Sequence, residues 1–156
     1  ASEFPDIVVT AADLSLDALE VARVNVKKYE LQQRIALVAS DGLQAIELVT
    51  HGPFDLILCI NMLHIAPWDA CGALMQGAAT HLTPRGKLVT YGPYFEAGVE
   101  PTLSNLEFDQ SLRAHDPSWG IRLLADVEKE AAGAGLKLAQ RHALPANNLL
   151  LVWERV

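Results

Sequence analysis

What the chain has little of narrows the reading first. Only two cysteines occur, Cys59 and Cys71, and they do not form a Cys-x-x-Cys pair. Both fall inside apolar stretches, so buried free thiols are expected rather than a disulfide, in keeping with a reducing compartment. Basic residues are outnumbered, 12 Lys and Arg against 19 Asp and Glu, and no basic run is longer than Lys27-Lys28. A net charge of −7 without a basic stripe argues against a nucleic-acid substrate. No apolar run reaches membrane-spanning length and no signal peptide is legible, so the expectation is a cytoplasmic protein without a membrane partner. The absence of a Gly-x-Ser-x-Gly elbow argues against a hydrolase triad, and the absence of a P-loop against phosphoryl transfer from a nucleoside triphosphate. No spacing of His, Cys, Asp and Glu suits a metal ion.

What is present is globular. The 156 residues are 51% hydrophobic and 20% charged, the size and composition of one domain with its own core. No repeat, linker or low-complexity segment interrupts them. Residues 6–12 form a short β-branched run ending at Asp13, and Ser15 is a suitable N-cap for an amphipathic helix over 16–30, where Leu19, Ala22, Val26 and Tyr29 recur at helical spacing. A second strand is predicted over 35–39, ending at Ser40-Asp41-Gly42, then a short helix over 43–49 and a strand over 54–60. Pro67 fits the first turn of a helix reaching about Leu82, closed by Thr83-Pro84-Arg85-Gly86. A strand over 87–91 is broken by Gly92-Pro93. The long connection 94–122 should carry one helix, with Ser104 and Glu107 as a capping box and Asp109 paired to Arg113. A last helix marked by Leu124, Val127 and Ala131, with Gly135 as terminator, precedes strands over 137–144 and 149–154. This alternation predicts an α/β fold whose sheet is mostly parallel, with an antiparallel C-terminal strand.

In such a sheet, ligands sit beyond the carboxyl ends of the parallel strands. Asp13, Asp41, Asn61 and Tyr91 fall at such ends, and Asn147-Asn148 begins the final strand, which runs the other way, so this beginning lies at the same rim. Asp13 suits the vicinal hydroxyls of a ribose, or else caps a helix. Asp41 suits an adenine amino group, with Gly42 allowing close approach, or else makes an ordinary Asp-Gly turn. Asn61 has the chemistry to orient an acceptor, and His64 to take a proton near neutral pH; a structural histidine is the alternative. Trp68 is either a pocket wall or core. Tyr91 and Tyr94 are candidates for lining the substrate opening. The connection 95–120 has the length of a lid, with Arg113, His115, Asp116 and Trp119 reaching the ligand or else forming a helix-terminating cluster.

The pattern resembles a class I S-adenosylmethionine-dependent methyltransferase. The stretch from Asp13-Leu14-Ser15-Leu16-Asp17 to Ser40-Asp41 is similar to the release-factor glutamine methyltransferases. From residue 54 onward, Cys59-Ile60-Asn61-Met62-Leu63-His64, Tyr91-Gly92-Pro93-Tyr94, Ser104-Asn105 and Pro145-Ala146-Asn147-Asn148 resemble a small methyltransferase-like family of unestablished substrate. The resemblance implies a Rossmann-like methyltransferase sheet with S-adenosyl-L-methionine as cofactor. It places that cofactor against Asp13, Leu14, Asp41, Gly42 and Asn61, chemistry at Asn61 and His64, and substrate against Trp68, Tyr91, Tyr94, Arg113 and Asn148. The substrate is expected to be a small molecule or a protein side chain. Where the glutamine methyltransferases carry Asn-Pro-Pro-Tyr, this chain reads Asn61-Met62-Leu63-His64, so release-factor methylation is not the expected activity. The family's usual first strand, glycine-rich loop and first helix have no counterpart here. That leaves three expectations: an N-terminally incomplete domain, a homo-oligomer covering an exposed sheet edge, or a non-catalytic interaction module.

Overall fold

The computed structural model describes residues 9–13, 16–28, 35–39 and 53–156. Val9–Asp13 (β1) and Ile35–Ala39 (β2) pair in parallel, from Val9 against Ile35 to Asp13 against Ala39. Parallel pairing needs a crossover, and the helix Leu16–Lys28 (α1) lies in it. Asp17 in its first turn and Lys27 and Lys28 in its last complement the helix dipole. Leu19 is buried, and Ala22 and Val26 are half-buried, which is the face that the spacing predicts. The chain divides into two compact units, Ala1–Thr50 and His51–Val156. Leu14, Ser15, Tyr29, Asp41, Gly42 and the helix predicted over 43–49 lie outside the described residues.

The second unit runs Phe54–Ile60 (β3), a tight 3-10 turn Leu63–Ile65, Asp69–His81 (α2), Leu82–Phe95 (β4), Leu103–His115 (α3), Arg122–Leu123 (β5), Leu124–Gly133 (α4), Leu136–Leu144 (β6) and Asn148–Arg155 (β7). Its sheet has the order β3-β4-β7-β6, with β5 pairing the end of β4. β3 and β5 lie parallel to β4, while β7 is antiparallel to both β4 and β6. The predicted hairpin is therefore present, and its second strand is the one that inserts beside β4. The three-residue loop between the paired Leu144 and Asn148 puts Ala146 and Asn147 at φ +59° and +57°.

Two boundaries differ from the sequence reading. Gly92-Pro93 does not end β4, because Pro93 pairs Asn148 on the last rung of that ladder, where a missing N–H interrupts no interior bond. Nor do residues 83–86 form a separate closing turn: the register jumps from Phe54↔Leu82 to Leu56↔Lys87, so a bulge absorbs them inside the strand. The cap of α3 also moves. Thr102, not Ser104, accepts the Asn105 amide, at 3.4 Å, so the helix starts earlier than a Ser104–Glu107 box requires. Asp109 and Arg113 pair as expected, at 2.8 Å. Gly133-Ala134-Gly135 closes α4, and the Gly135 amide returns to the Ala132 carbonyl at 3.1 Å.

The core lies between the sheet and two helices. α2 buries Cys71, Leu74, Met75 and Ala78, and α4 buries Leu124, Val127 and Ala131; the two helices contact each other. Opposite them β4 and β7 contribute Leu88, Thr90, Leu151 and Trp153, all essentially inaccessible. One polar knot sits there. The Trp153 indole N–H and the Tyr94 hydroxyl both donate to Thr90 Oγ1, at 3.0 and 2.9 Å. Cys59 and Cys71 are free and buried, and burial pushes their thiols up to about 12 and about 11, so both stay protonated. On β3, Leu56, Leu58 and Ile60 stand exposed on one face. Among the described residues no helix is long and apolar enough to cross a membrane.

Candidate functional site

The site starts where β3 ends. Asn61 adopts φ +55°, a left-handed conformation that asparagine tolerates better than most residues, and its N–H donates to the Tyr91 carbonyl at 2.8 Å. That bond adds one rung to the β3–β4 ladder before the chain turns. The turn closes with the Ile65 amide on the Met62 carbonyl at 3.0 Å, which leaves His64 in its middle. His64 is 6% exposed, and among the described residues neither ring nitrogen has a hydrogen-bond partner. Its ring meets Phe108 of α3 edge-on, with centroids 5.5 Å apart. A carbon built on Gly92 of β4 would stand 3.4 Å from His64 Nδ1 and 3.5 Å from Asn61 Oδ1, so both groups border the same bare stretch of strand.

Three elements hold the turn from behind. Arg122 Nε donates to the Leu63 carbonyl at 2.9 Å, and its Nη2 donates to the carbonyls of Ala66 and Ser118. The guanidinium thus brackets His64 from both sides in sequence, and it also lies over the Trp68 ring at 5.5 Å. The Gly120 N–H donates to the His64 carbonyl at 3.0 Å, and the next amide, that of Ile121, donates to Asp109 Oδ1 at 2.7 Å. Burial first, then the Arg122 charge, lowers the proton affinity of His64 below that of an ordinary histidine. The imidazole is therefore neutral near pH 7 and able to accept a proton.

Gly120 could take a side chain only by displacing the Asp109–Arg113 pair and straining the backbone. Its φ is +147°, and a Cβ there would come within 2.5 Å of Arg113 Nη2 and 2.8 Å of Asp109 Oδ1. Gly120→Ala is expected to destabilise the protein by about 1–3 kcal/mol, the usual size for a strained backbone position. It should also shift the His64 ring resonances; an unchanged urea midpoint with unchanged His64 signals would show that this contact is slack.

A cavity of about 510 Å³ opens in front of this turn. Asn61, His64 and Ile65 form one side and Pro93 its floor; α3 gives Ser104, Asn105 and Phe108, and the β6–β7 loop gives Ala146, Asn147 and Asn148. Hydrogen bonds tie the last two groups together: Asn147 Nδ2 donates to Ser104 Oγ at 3.2 Å, and Asn105 Nδ2 to the Asn147 carbonyl at 3.5 Å. Asn61, His64 and Asn148, singled out in the sequence, are thus brought together. Trp68 and Arg113 are not with them; they line a second cavity of about 560 Å³ with Arg122, Lys129 and Glu130. Tyr94 is in the core, its hydroxyl on Thr90, and Tyr91 enters through its carbonyl rather than its ring. Asp13 is the last residue of β1, in the other unit. His115 packs on Trp119, with centroids 5.1 Å apart, and Asp116 accepts from Ser118; none of the three borders the cavity of Asn61. Ser104, Asn105 and Arg122 escaped the sequence reading as site residues, whereas that reading places Asn147 at the rim with Asn148. For Ser104 and Asn105 the only signal was their place in the matched motifs, and for Arg122 there was none.

The family model described as a protein of unknown function, DUF938, matches residues 3–155. The chain belongs to the DUF938 family. Among curated proteins it is 31% identical over 144 residues to a release factor glutamine methyltransferase of Rhodopirellula baltica, covering 91% of this chain and 44% of that protein. A ribosomal protein uL3 glutamine methyltransferase of Neisseria meningitidis is 45% identical over 58 residues, 37% of this chain and 18% of that protein. Among solved structures, mitomycin 7-O-methyltransferase MmcR superposes with a TM-score of 0.82 at 18% identity, over 99% of this chain and 44% of that one. NcsB1, an O-methyltransferase solved with S-adenosylmethionine and 2-hydroxy-5-methyl naphthoic acid, gives a TM-score of 0.74 at 17% identity, over 97% and 42%. This DUF938 chain thus spans less than half the length of these relatives. Its fold is the Rossmann-like fold of class I methyltransferases, and the resemblance read from the residues stands.

Proposed function

We propose that this DUF938 chain transfers a methyl group from S-adenosylmethionine to a small molecule or a protein side chain held in the cavity of Asn61 and His64. The observation that carries the reading is the placement of an unpartnered, neutral imidazole and a side-chain amide side by side at the carboxyl end of β3, on a methyltransferase fold. One described residue has the chemistry that the cofactor's ribose calls for. Asp13 ends β1 with a carboxylate, the right chemistry for two ribose hydroxyls. The resemblance assigns the cofactor to Asp13, Leu14, Asp41, Gly42 and Asn61. When bound, it supplies a methyl carbon on a sulfonium centre, ready for direct displacement.

The chain's own residues do the rest. Asn61 orients the acceptor, because its amide borders the cavity and its backbone is fixed to Tyr91. His64 takes the acceptor's proton where one must leave. Arg122, through the carbonyls of Leu63 and Ala66, keeps the His64 turn in one position. Phe108 and Ile65 cover the acceptor and exclude water.

Asp13→Ala is expected to weaken S-adenosylhomocysteine binding by about tenfold or more, the loss of about 1.4 kcal/mol or more from a paired carboxylate contact. Titration calorimetry measures it, and equal affinity would remove Asp13 from the site. No binding to the unaltered chain at millimolar ligand would favour a non-catalytic interaction module instead.

A further inference from the structure

Among the described residues the cavity lining carries no formal charge, in a chain whose net charge is −7. None of its lining residues is Asp, Glu, Lys or Arg, and His64 is neutral near pH 7. A bound carboxylate or ammonium would lose its hydration there and find no counter-ion among the described lining side chains, which disfavours either.

Two of the polar groups, the amides of Asn105 and Asn148, are left to accept. Asn148 Nδ2 is spent on the carbonyls of Pro145 and Ala146, at 3.3 and 3.4 Å, and Asn105 Nδ2 on the Asn147 carbonyl. Carbonyls only accept, so these bonds fix which end of each amide faces them. The side-chain oxygens of Asn105 and Asn148 have no protein donor among the described residues, and neither has the more than nine-tenths buried imidazole of His64. Beside them Phe108 and Ile65 offer apolar surface, 42% and 44% exposed.

We infer that this cavity selects an uncharged ligand with a flat apolar body and hydrogen-bond donors, and that Asn105 and Asn148 read those donors through their side-chain oxygens. The inference rests on the reading of this cavity as the acceptor site, and it narrows that reading to hydroxyl- or amide-bearing acceptors over acids and amines.

Three probes that share a ring and differ in charge test it on the full chain: benzamide, benzoate and benzylammonium. Titrations at pH 7.5 in about 0.15 M salt screen the chain's overall charge, leaving the local environment to decide. Benzamide should bind at least about tenfold more tightly than either ion, and should shift the side-chain amide signals of Asn105 and Asn148 and the ring signals of His64. Equal or tighter binding of benzoate or benzylammonium, or binding of none of the three, overturns the inference. Asn148→Asp should raise benzylammonium above benzamide, and an unchanged ranking in a folded variant overturns the role of Asn148. S-adenosylhomocysteine is titrated in parallel. If it fails to bind while the probe ranking holds, methyl transfer is refuted and the cavity assignment survives; if it binds while the ranking fails, only the cavity assignment falls.

Discussion

Replacing His64 with glutamine is expected to slow methyl transfer by about 10²- to 10⁴-fold, the usual contribution of a positioned general base. Glutamine keeps a polar side chain against Phe108 but cannot take a proton. S-adenosylhomocysteine binding should therefore stay as it is while the rate falls. The pH profile adds a second check. Burial and the Arg122 charge disfavour the imidazolium, so the proton-accepting form gains population as pH rises through a value below the ordinary 6.5. The rate should climb on that limb, reach its plateau by neutral pH, and lose the limb in His64→Gln. Folding stability has the same sign. A histidine whose folded pKa is depressed leaves stability intact above the unfolded value and takes it away as pH falls from there toward the folded one. A loss under about threefold in the His64→Gln variant, against the range expected of a base, would take His64 out of the chemistry.

The second large effect is on the core. Thr90→Val keeps nearly the same shape but removes the one oxygen on which the Trp153 N–H and the Tyr94 hydroxyl both rest. Thr90 and Trp153 are 1% and 0% exposed, so water cannot replace it without a rearrangement. Each stranded donor costs about 1–3 kcal/mol, so the variant should lose about 2–6 kcal/mol. That is a large share of the roughly 5–15 kcal/mol that holds an ordinary domain together. Thr90→Ser keeps the oxygen and should recover most of the loss. Urea denaturation reads both, and a Thr90→Val midpoint close to that of the parent would show that the knot is not what secures Trp153.

The two effects meet along β4. Thr90 holds Tyr94 and Trp153 in the core, while Tyr91 and Gly92 border the turn that carries Asn61 and His64. A single strand thereby couples the packing of the core to the placement of the site. Arg122 performs a related task from the other side. Its three carbonyl partners belong to residues 63, 66 and 118, which join the turn to the segment after α3.

The sequence alone settled what depends on neighbours a few residues apart. β3 was legible as 54–60 because an apolar run between Gly52-Pro53 and Asn61 satisfies a strand locally. The faces of α1 and α4, the Asp109–Arg113 pair and the closure at Gly135 followed from helical period, from i,i+4 spacing and from glycine's freedom. The class of fold followed from the alternation of such segments. What the sequence left open depends on which distant segments meet. Only the tertiary structure inserts β7 between β4 and β6, buries Tyr94 on Thr90, and sets Trp68 and Arg113 in a cavity apart from Asn61. It alone brings Ser104 and Asn105 of α3 against Asn147 and Asn148, some forty residues later in the chain, to close the cavity. Periodicity records how a segment buries one of its faces. It carries no record of which remote backbone carbonyl will accept a given guanidinium or amide, and those pairings build this site.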